Sequence, residues 1–291
     1  MPFVSDQDDV AGRAGVDADF AEWLHGCLRR AATCFGVAIQ SAPTFGWRLR
    51  SISAPISGPG QDGWLRVVTE QPCYLPADFW TGNHDANNIV SVAKPVVLDV
   101  GEWFDPKWHR QVRSELMTRQ PGTPCSGTDV LRWPLQLPDR WWSDLRSGLG
   151  ALHAESTSRV NTDQDRISQR VREVFGDQID VRVEHWHTVH GDLHWGNLVS
   201  QPFALLDWEM WGRGPAGLDE ATLRCYSLLV EPIKARIDDE FRQALSGRSG
   251  CVATVYAAAR LLRRATADFP DIAAVLHHVG QRAIDNMRRM P

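Results

Sequence analysis

The 291-residue sequence has no apolar stretch long enough to span a membrane. Its acidic opening, Ser5-Asp6-Gln7-Asp8-Asp9, is unlike a signal peptide. Lysine is nearly absent, since only three of the 31 basic residues are lysines. The net charge of −5 disfavours a general nucleic-acid surface and is compatible with a cationic substrate. We therefore expect a cytoplasmic protein that binds neither membranes nor nucleic acids.

Metal-ligand spacing is also absent among the cysteines. The six cysteines are dispersed along the chain, at positions 27, 34, 73, 125, 225 and 251. The sequence contains no internal repeat and no low-complexity tract. Its hydrophobic content of 43% and charged content of 23% are those of an ordinary globular protein. The length suits one two-lobed unit or two small domains.

One segment near the middle of the chain combines acids and an amide in a pattern typical of a catalytic site. It reads His190-Gly191-Asp192-Leu193-His194-Trp195-Gly196-Asn197, and Leu206-Asp207-Trp208 follows after an apolar hairpin. The runs at 188–189, 198–200 and 203–206 favour β-strands, and Gln201-Pro202 predicts the turn of the hairpin. A loop with Asp192 therefore enters a hairpin whose far end presents Asp207.

This acid, amide, acid series resembles the catalytic loop and metal-binding acid of the kinase fold. The form with H-G-D resembles aminoglycoside phosphotransferases and their choline-kinase-like relatives. The segment from Gly212 to Asp219 is similar to the family's glycine and proline turn before a buried acid. The resemblance is strongest over residues 185–225.

The resemblance implies an α+β, two-lobed, protein-kinase-like fold, with a small β-rich N-terminal lobe (1–131) covering the nucleotide. A larger, mainly helical C-terminal lobe (132–291) would hold the catalytic loop, the metal site and the substrate-binding helices.

The resemblance also implies the chemistry. The γ-phosphate of ATP or GTP would pass to a hydroxyl of a small molecule, with Asp192 orienting the hydroxyl and accepting its proton. Asn197 and Asp207 would hold Mg²⁺, which prefers oxygen ligands. His190 and Asp219 would support the catalytic loop, although Asp219 alone also fits a helix N-cap.

The acceptor stays open among aminoglycosides and other antibiotics, sugars and amino-alcohols, because a fold cannot choose among them. Antibiotic resistance is one option, and the oligomeric state is not predicted. An acidic cleft would suit a polycation, but the acids at 209 and 238–240 also fit a solvated helix face.

Arg66 is the single basic residue in an apolar strand, 64–69, of the N-terminal lobe. The resemblance implies a Lys or Arg at this place that reaches the nucleotide phosphates, so Arg66 is the candidate contact. An outward-facing arginine is the alternative. Three acids could pair with it, Asp85, Glu102 and Glu115, although a helix acid would be expected. The loop that would cover the phosphates, 41–46, is poor in glycine.

Periodicity and turn residues predict the remaining elements. We expect residues 1–16 to be disordered or loosely held, and a helix that Asp17 caps and Gly36 ends. Strands are expected at 37–40, 47–56, 64–69 and 94–100, with a strand and hinge at 130–134. Further helices are expected at 108–118, 138–154, 219–229, 233–245, 251–267 and 271–289.

Two other functions compete with the kinase interpretation. Gly82-Asn83-His84-Asp85 and Asp192-Leu193-His194 are similar to pieces of dinuclear-metal phosphoesterases, but they occur in the reverse order. A kinase fold that binds nucleotide or a partner without turnover is the second alternative. The intact acid, amide, acid series argues against it. His194 and Glu209 stay open between contact with the reacting groups and a structural role.

Overall fold

The structure is a computed structural model that describes residues 10–58, 61–75, 77–177 and 179–290. Contacts divide the chain into two compact units: Met1–Pro76 with Pro95–Arg119, and Ala77–Lys94 with Gln120–Pro291. Residues 77–94 and 120–131 thus pack with the C-terminal residues, whereas the boundary predicted from sequence lies at 131. No helix in the described ranges is both long and apolar enough to cross a membrane.

The first unit combines one long helix with an antiparallel sheet. Its elements are α1 (Val10–Phe35), β1 (Ala38–Ile39), β2 (Thr44–Phe45), β3 (Ser51–Gly58), β4 (Gln61–Glu70), β5 (Val97–Asp105) and β6 (Arg110–Thr118). The strand order is β1-β3-β4-β6-β5, with β2 also paired to β3. Leu24, Leu28 and Ala31 recur at helical spacing on α1 and pack against Ile52 and Leu65 of the sheet.

Two expectations for this unit are wrong. The first helix begins at Val10 instead of Asp17, and residues 1–9 lie outside the described residues. Residues 110–118 form a strand and not a helix, because β6 pairs with β4 on one side and β5 on the other. Its charged residues look like a solvated helix surface in the sequence. Arg113 and Glu115 are instead buried in the sheet, where Arg113 Nε donates to Glu115 Oε1 at 3.0 Å. Residues 59–60, between β3 and β4, lie outside the described residues.

The second unit is mainly helical. Its elements are α2 (Ala77–Asp85), α3 (Asp139–Ala154), α4 (Gln164–Phe175), β7 (Trp186–Val189), β8 (Leu198–Val199), β9 (Ala204–Leu205), β10 (Gly212–Pro215), α5 (Leu218–Cys225), α6 (Glu231–Glu240), α7 (Arg242–Leu245), α8 (Gly247–Asp268) and α9 (Ala273–Arg289). The C-terminal helices and the helix after Pro138 are confirmed, whereas sequence patterns missed α2 and α4. Residues 130–134 form no strand; the backbone N of Leu131 donates to Tyr226 O at 2.8 Å.

Helix α8 is the central element of this unit. It packs against α4, α5 and α9, and it is buried continuously from Gly250 to Ala259. Alanines at 253, 257, 258 and 259 allow the neighbouring helices to approach closely. A β-rich first unit and a mainly helical second unit confirm the predicted α+β class.

Helix α2 packs with the second unit because its glycine meets a short 3-10 turn, Trp208–Met210. A Cβ atom at Gly82 would overlap the backbone of Glu209. Trp211 Nε1 donates to Gly82 O at 2.9 Å, and the backbone N of Trp208 donates to Asn83 Oδ1 at 2.8 Å.

A buried tryptophan supports the loop between β7 and β8. Trp195 is fully buried, lies parallel to Trp141 with ring centroids 6.2 Å apart, and donates from Nε1 to Ser227 Oγ at 2.8 Å. We expect Trp195→Ala to lower the free energy of unfolding by about 3–5 kcal/mol, because it removes a large core side chain. Urea denaturation followed by circular dichroism measures this loss.

The matched control is Trp133→Ala, since Trp133 is 78% exposed. Its substitution should change the free energy of unfolding by less than about 0.5 kcal/mol. Equal effects of the two substitutions would contradict this description of the core.

Candidate active site

The hairpin formed by β8 and β9 brings the predicted metal ligands to one end. Leu198 pairs with Leu205, and just beyond this pair the backbone N of Leu206 donates to Asn197 O at 2.9 Å. Asn197 and Asp207 therefore lie on adjacent ends of the two strands. The side-chain Nδ2 of Asn197 donates to the backbone O of Asp192 at 3.0 Å. This bond uses the amide nitrogen, so Oδ1 is the atom of Asn197 that could bind a cation.

A buried carboxylate holds the start of the loop. Asp219, near the start of α5, accepts the backbone N–H of His190 through Oδ2 at 2.7 Å and that of Gly191 through Oδ1 at 2.9 Å. This is the geometry that the predicted supporting role requires. The N-cap alternative is wrong, because the N-cap of α5 is Gly217 and the helix has no side-chain cap bond.

The ring of His190 connects the catalytic loop to the turn that carries Asp207, residues 206–210, which we call the acid turn. His190 Nε2 lies 2.9 Å from Leu206 O and must donate, because a carbonyl oxygen only accepts. The ring also meets Trp208 edge-on, with centroids 4.9 Å apart. Burial lowers the pKa of His190, which favours the neutral tautomer that carries the proton on Nε2.

Only glycine fits at position 191. Its φ is +83°, and a Cβ atom there would overlap Asn161 and the carbonyl oxygen of Met210. Asn161 Nδ2 donates to this same Met210 carbonyl at 2.6 Å. Asn161 thus holds the acid turn close to the catalytic loop, and no local sequence pattern indicated it.

Asp207 itself has a left-handed backbone, with φ of +57° and ψ of 73°, and its side chain is exposed. A left-handed non-glycine residue is uncommon and is concentrated at functional sites. Glu209, two residues later, is buried, and its carbonyl faces Arg159 Nη2 at 3.5 Å. The structure therefore exposes Asp207 and buries Glu209.

A guanidinium group and an imidazole ring flank Asp192. Arg260 of α8 donates from Nη1 to Gly191 O at 2.8 Å, and its Nη2 lies 3.6 Å from Asp192 Oδ1. His194 Nε2 lies 3.8 Å from Asp192 Oδ2, while its Nδ1 accepts from the backbone N of Gly196 at 3.1 Å. Sequence patterns missed Arg260, since it lies 69 residues beyond Gly191 in a helix of ordinary composition.

Arg66 belongs to the first unit and pairs with a strand acid. Its Nη1 lies 3.4 Å from Glu115 Oε2, and the side chains are 13% and 2% exposed. Glu115 is therefore its partner among the three acids left open. The other two acids have arginine partners of their own: Glu102 pairs with Arg113, and Asp85 with Arg159.

The groups of the phosphoesterase alternative have structural partners. Asn83 accepts from the backbone of Trp208, and Asp85 binds Thr81 and Arg159. In the described part of the chain, no group of three or more His, Cys, Asp and Glu is arranged to hold a metal ion. The predicted magnesium set differs from such a group, because it contains one carboxylate, one amide and phosphate oxygens.

The acids of α6 are neutralised. Their ion pairs are Asp238 with Arg224 and Lys234, Asp239 with Arg242, and Glu240 with Arg146 and Arg236. This supports the interpretation of a solvated helix face over that of a polycation-binding cleft.

Similar structures exist, although no protein-family model and no curated protein matches the sequence. A thermostable mutant of the aminoglycoside phosphotransferase APH(4)-Ia gives a TM-score of 0.62 at 14% identity, over 90% of this chain and 100% of that one. The chain has the aminoglycoside phosphotransferase fold. The predicted resemblance is thereby confirmed.

Two further solved structures, both of kinases, share the aminoglycoside phosphotransferase fold with this chain. Amicoumacin kinase hAmiN gives a TM-score of 0.54 at 15% identity, over 90% of this chain and 93% of that one. The microcompartment-associated aminopropanol kinase gives 0.55 at 10% identity, over 89% and 96%. A mutant of APH(4)-Ia was solved with AMP-PNP and hygromycin B, and hAmiN with AMP-PNP, Ca²⁺ and Ami.

A second buried acid, Glu220, follows Asp219 in α5. Glu220 is buried, and His153 Nδ1 lies 3.9 Å from its Oε1. Burial, and then the neighbouring charge of Asp219, raise the pKa of Glu220 to about 8. Burial lowers the pKa of His153, which opposes its protonation. The histidine therefore does not neutralise the acid at neutral pH.

The raised pKa makes stability depend on pH. From the ordinary Glu pKa of 4.5 up to about 8, the folded state holds a proton that the unfolded state has lost. The free energy of unfolding should therefore fall as pH rises through this window, by at most about 1.4 kcal/mol per pH unit. In Glu220→Gln this contribution should disappear, so the variant gains stability over wild type from pH 5 to 8. Urea titrations at several pH values measure the difference.

The control is Glu231→Gln, because Glu231 is exposed. Its difference from wild type should be independent of pH over the same range. His153 contacts Glu220, so the difference isolates Glu220 above about pH 7, where the lowered pKa leaves His153 neutral. A constant difference between Glu220→Gln and wild type would contradict the buried protonated acid.

Proposed function

We propose that the protein is a kinase that transfers the γ-phosphate of ATP or GTP to a hydroxyl of a small molecule. One observation supports this above the others. Asn197 donates from its side-chain Nδ2 to the backbone O of Asp192, and its backbone O accepts from the backbone N of Leu206. A hydroxyl-activating acid, an amide and a second acid thus belong to one hydrogen-bonded unit, as phosphoryl transfer requires.

Asp192 orients the acceptor hydroxyl and takes its proton. The acceptor oxygen forms a bond to the γ-phosphorus while the bond from that phosphorus to the β,γ-bridging oxygen breaks, which leaves ADP or GDP. The proton then passes from Asp192 to solvent. His194 and Arg260 fix the carboxylate between them, at 3.8 and 3.6 Å. Since the reaction needs little covalent chemistry from the protein, this placement supplies much of the rate.

The donor set fits a magnesium ion. Oδ1 of Asn197 and the carboxylate of Asp207 are hard oxygen ligands, and phosphate oxygens and waters would complete the coordination. Such an ion, when bound, neutralises charge on the β and γ phosphate oxygens. Arg66 would contact the nucleotide phosphates, held in position by Glu115. His190 and Asp219 keep the loop rigid.

The reaction would take place in the cytoplasm, where ATP and GTP are available. An antibiotic acceptor would make the protein a resistance enzyme. Sugars and amino-alcohols are the other acceptors that the proposal includes.

Asp192→Asn tests the central role. The amide keeps the shape of the side chain but cannot accept the proton, so kcat should fall by about 10²–10⁴. The nucleotide dissociation constant should stay within about threefold, because Asp192 acts on the acceptor. A coupled assay of nucleotide diphosphate release over antibiotics, sugars and amino-alcohols measures turnover, and calorimetry measures nucleotide binding.

The matched control is Asp239→Asn, an exposed acid paired with Arg242, which should retain wild-type turnover. Wild-type turnover in Asp192→Asn would remove Asp192 from its role. Nucleotide binding by the wild type without turnover on any acceptor would instead favour the non-catalytic alternative.

A further inference from the structure

Four arginines line the seam between α4 and α8, next to Asp192. Arg166 and Arg170 are four residues apart on α4, and Arg260 and Arg263 are three apart on α8. These spacings place each pair on one helix face. The two helices pack against each other, and the arginines reach across: Arg170 bonds Tyr256 of α8, and Arg263 pairs with Glu173 of α4. The two pairs therefore meet at a common seam. Arg260 connects this seam to the catalytic loop through Gly191 O.

A single tyrosine positions the two inner arginines. The guanidinium carbons of Arg170 and Arg260 each lie 6.0 Å from the centroid of the Tyr256 ring, so they cannot be more than twice that distance apart. Arg170 Nη1 donates to Tyr256 Oη at 3.1 Å, and Tyr256 Oη donates to Thr162 Oγ1 at 2.8 Å. The ring and the hydroxyl are buried, which fixes both guanidinium groups.

The seam has too few carboxylates for its cations. Within the described ranges, the guanidinium groups of Arg166 and Arg170 form no ion pair with a carboxylate; Arg166 bonds Asp163 only through its backbone N, and Arg170 bonds the hydroxyl of Tyr256. Arg263 Nε lies 3.4 Å from Glu173, and Arg260 faces only Asp192. Burial lowers the pKa of Arg170, and the neighbouring arginines lower it further. Partly buried cations without counter-ions are costly and are concentrated where a ligand supplies the missing charge.

We propose that this seam binds a phosphate or carboxylate group of the acceptor, so that the acceptor is a hydroxylated small-molecule anion. The inference rests on the proposed function, since it identifies the substrate class of the same site. The acceptor places its hydroxyl at Asp192 and its anionic group between Arg170 and Arg260. Guanidinium groups bind both anions through paired N–H donors. The acids of α6, which could have attracted a polycation, are already neutralised.

Binding of an anion can be measured without turnover. Inorganic phosphate should raise the melting temperature of the wild-type protein, and Arg170→Gln should lose most of this shift. The matched control is Arg172→Gln, because Arg172 lies on the same helix, is mostly exposed and pairs with Asp177. Arg166→Gln, an exposed member of the seam, is a second variant with little risk to folding, and it should show a reduced shift.

Turnover gives the second measurement. Matched acceptors are glucose, cationic glucosamine, and the anions gluconate and glucose 6-phosphate. With the anions, kcat/KM should exceed that of the other two about 10- to 100-fold, the size of one charge-assisted hydrogen bond. Arg170→Gln should remove the preference by raising KM at unchanged kcat, and Arg170→Lys should restore part of it.

The outcomes separate the two proposals. Equal phosphate shifts in wild type, Arg170→Gln and Arg172→Gln would overturn the anion site, as would a preference for glucosamine. A phosphate shift that depends on Arg170, without turnover of any acceptor, would support the site and count against the kinase function. Asp192→Asn should lose turnover but keep the shift that depends on Arg170.

Discussion

The buried carboxylate of Asp219 is the interaction on which the site depends. It accepts two consecutive backbone N–H groups, and hydrogen bonds to a charged group each contribute about 1.5–3 kcal/mol. These bonds fix the backbone just before Asp192 against the start of α5. Gly191, which lies between His190 and Asp192, has a left-handed backbone and packs closely against the acid turn. A loop with fewer bonds could contain the same side chains without holding Asp192 in one position.

The second constraint is the short hairpin of β8 and β9, which fixes Asn197 and Asp207 relative to the loop that Asp219 holds. Only two residue pairs form the ladder between β8 and β9, yet three further bonds join its open end: Asn197 to Asp192, Leu206 to Asn197, and His190 to Leu206. Asp207 follows directly in a left-handed conformation that costs about 1 kcal/mol. The surrounding bonds compensate for that cost, which is the usual pattern where backbone strain positions a ligand.

The sequence was informative wherever the interacting groups lie close together along the chain. The loop, the hairpin turn and the acids at 192, 207 and 219 lie within thirty residues of one another, so their spacing predicts their grouping. The partner of Arg66 could not be chosen, because Glu115 opposes it only through the register of β4 and β6. The helix expected at 108–118 was wrong for a similar reason, since β6 pairs with residues of β4 that lie far away along the chain. Arg260 and Asn161 reach the loop through the packing of separate elements, and no local pattern encodes that packing.

The central claim is that Asn197 and Asp207 together hold a divalent cation on a bound nucleotide. Calorimetry with AMP-PNP, with and without Mg²⁺, tests it most directly in the wild type, Asn197→Ala and Asp207→Ala. We expect Mg²⁺ to strengthen nucleotide binding in the wild type, and each substitution to remove most of that gain. Binding that is insensitive to Mg²⁺, or a gain that survives both substitutions, would contradict the account.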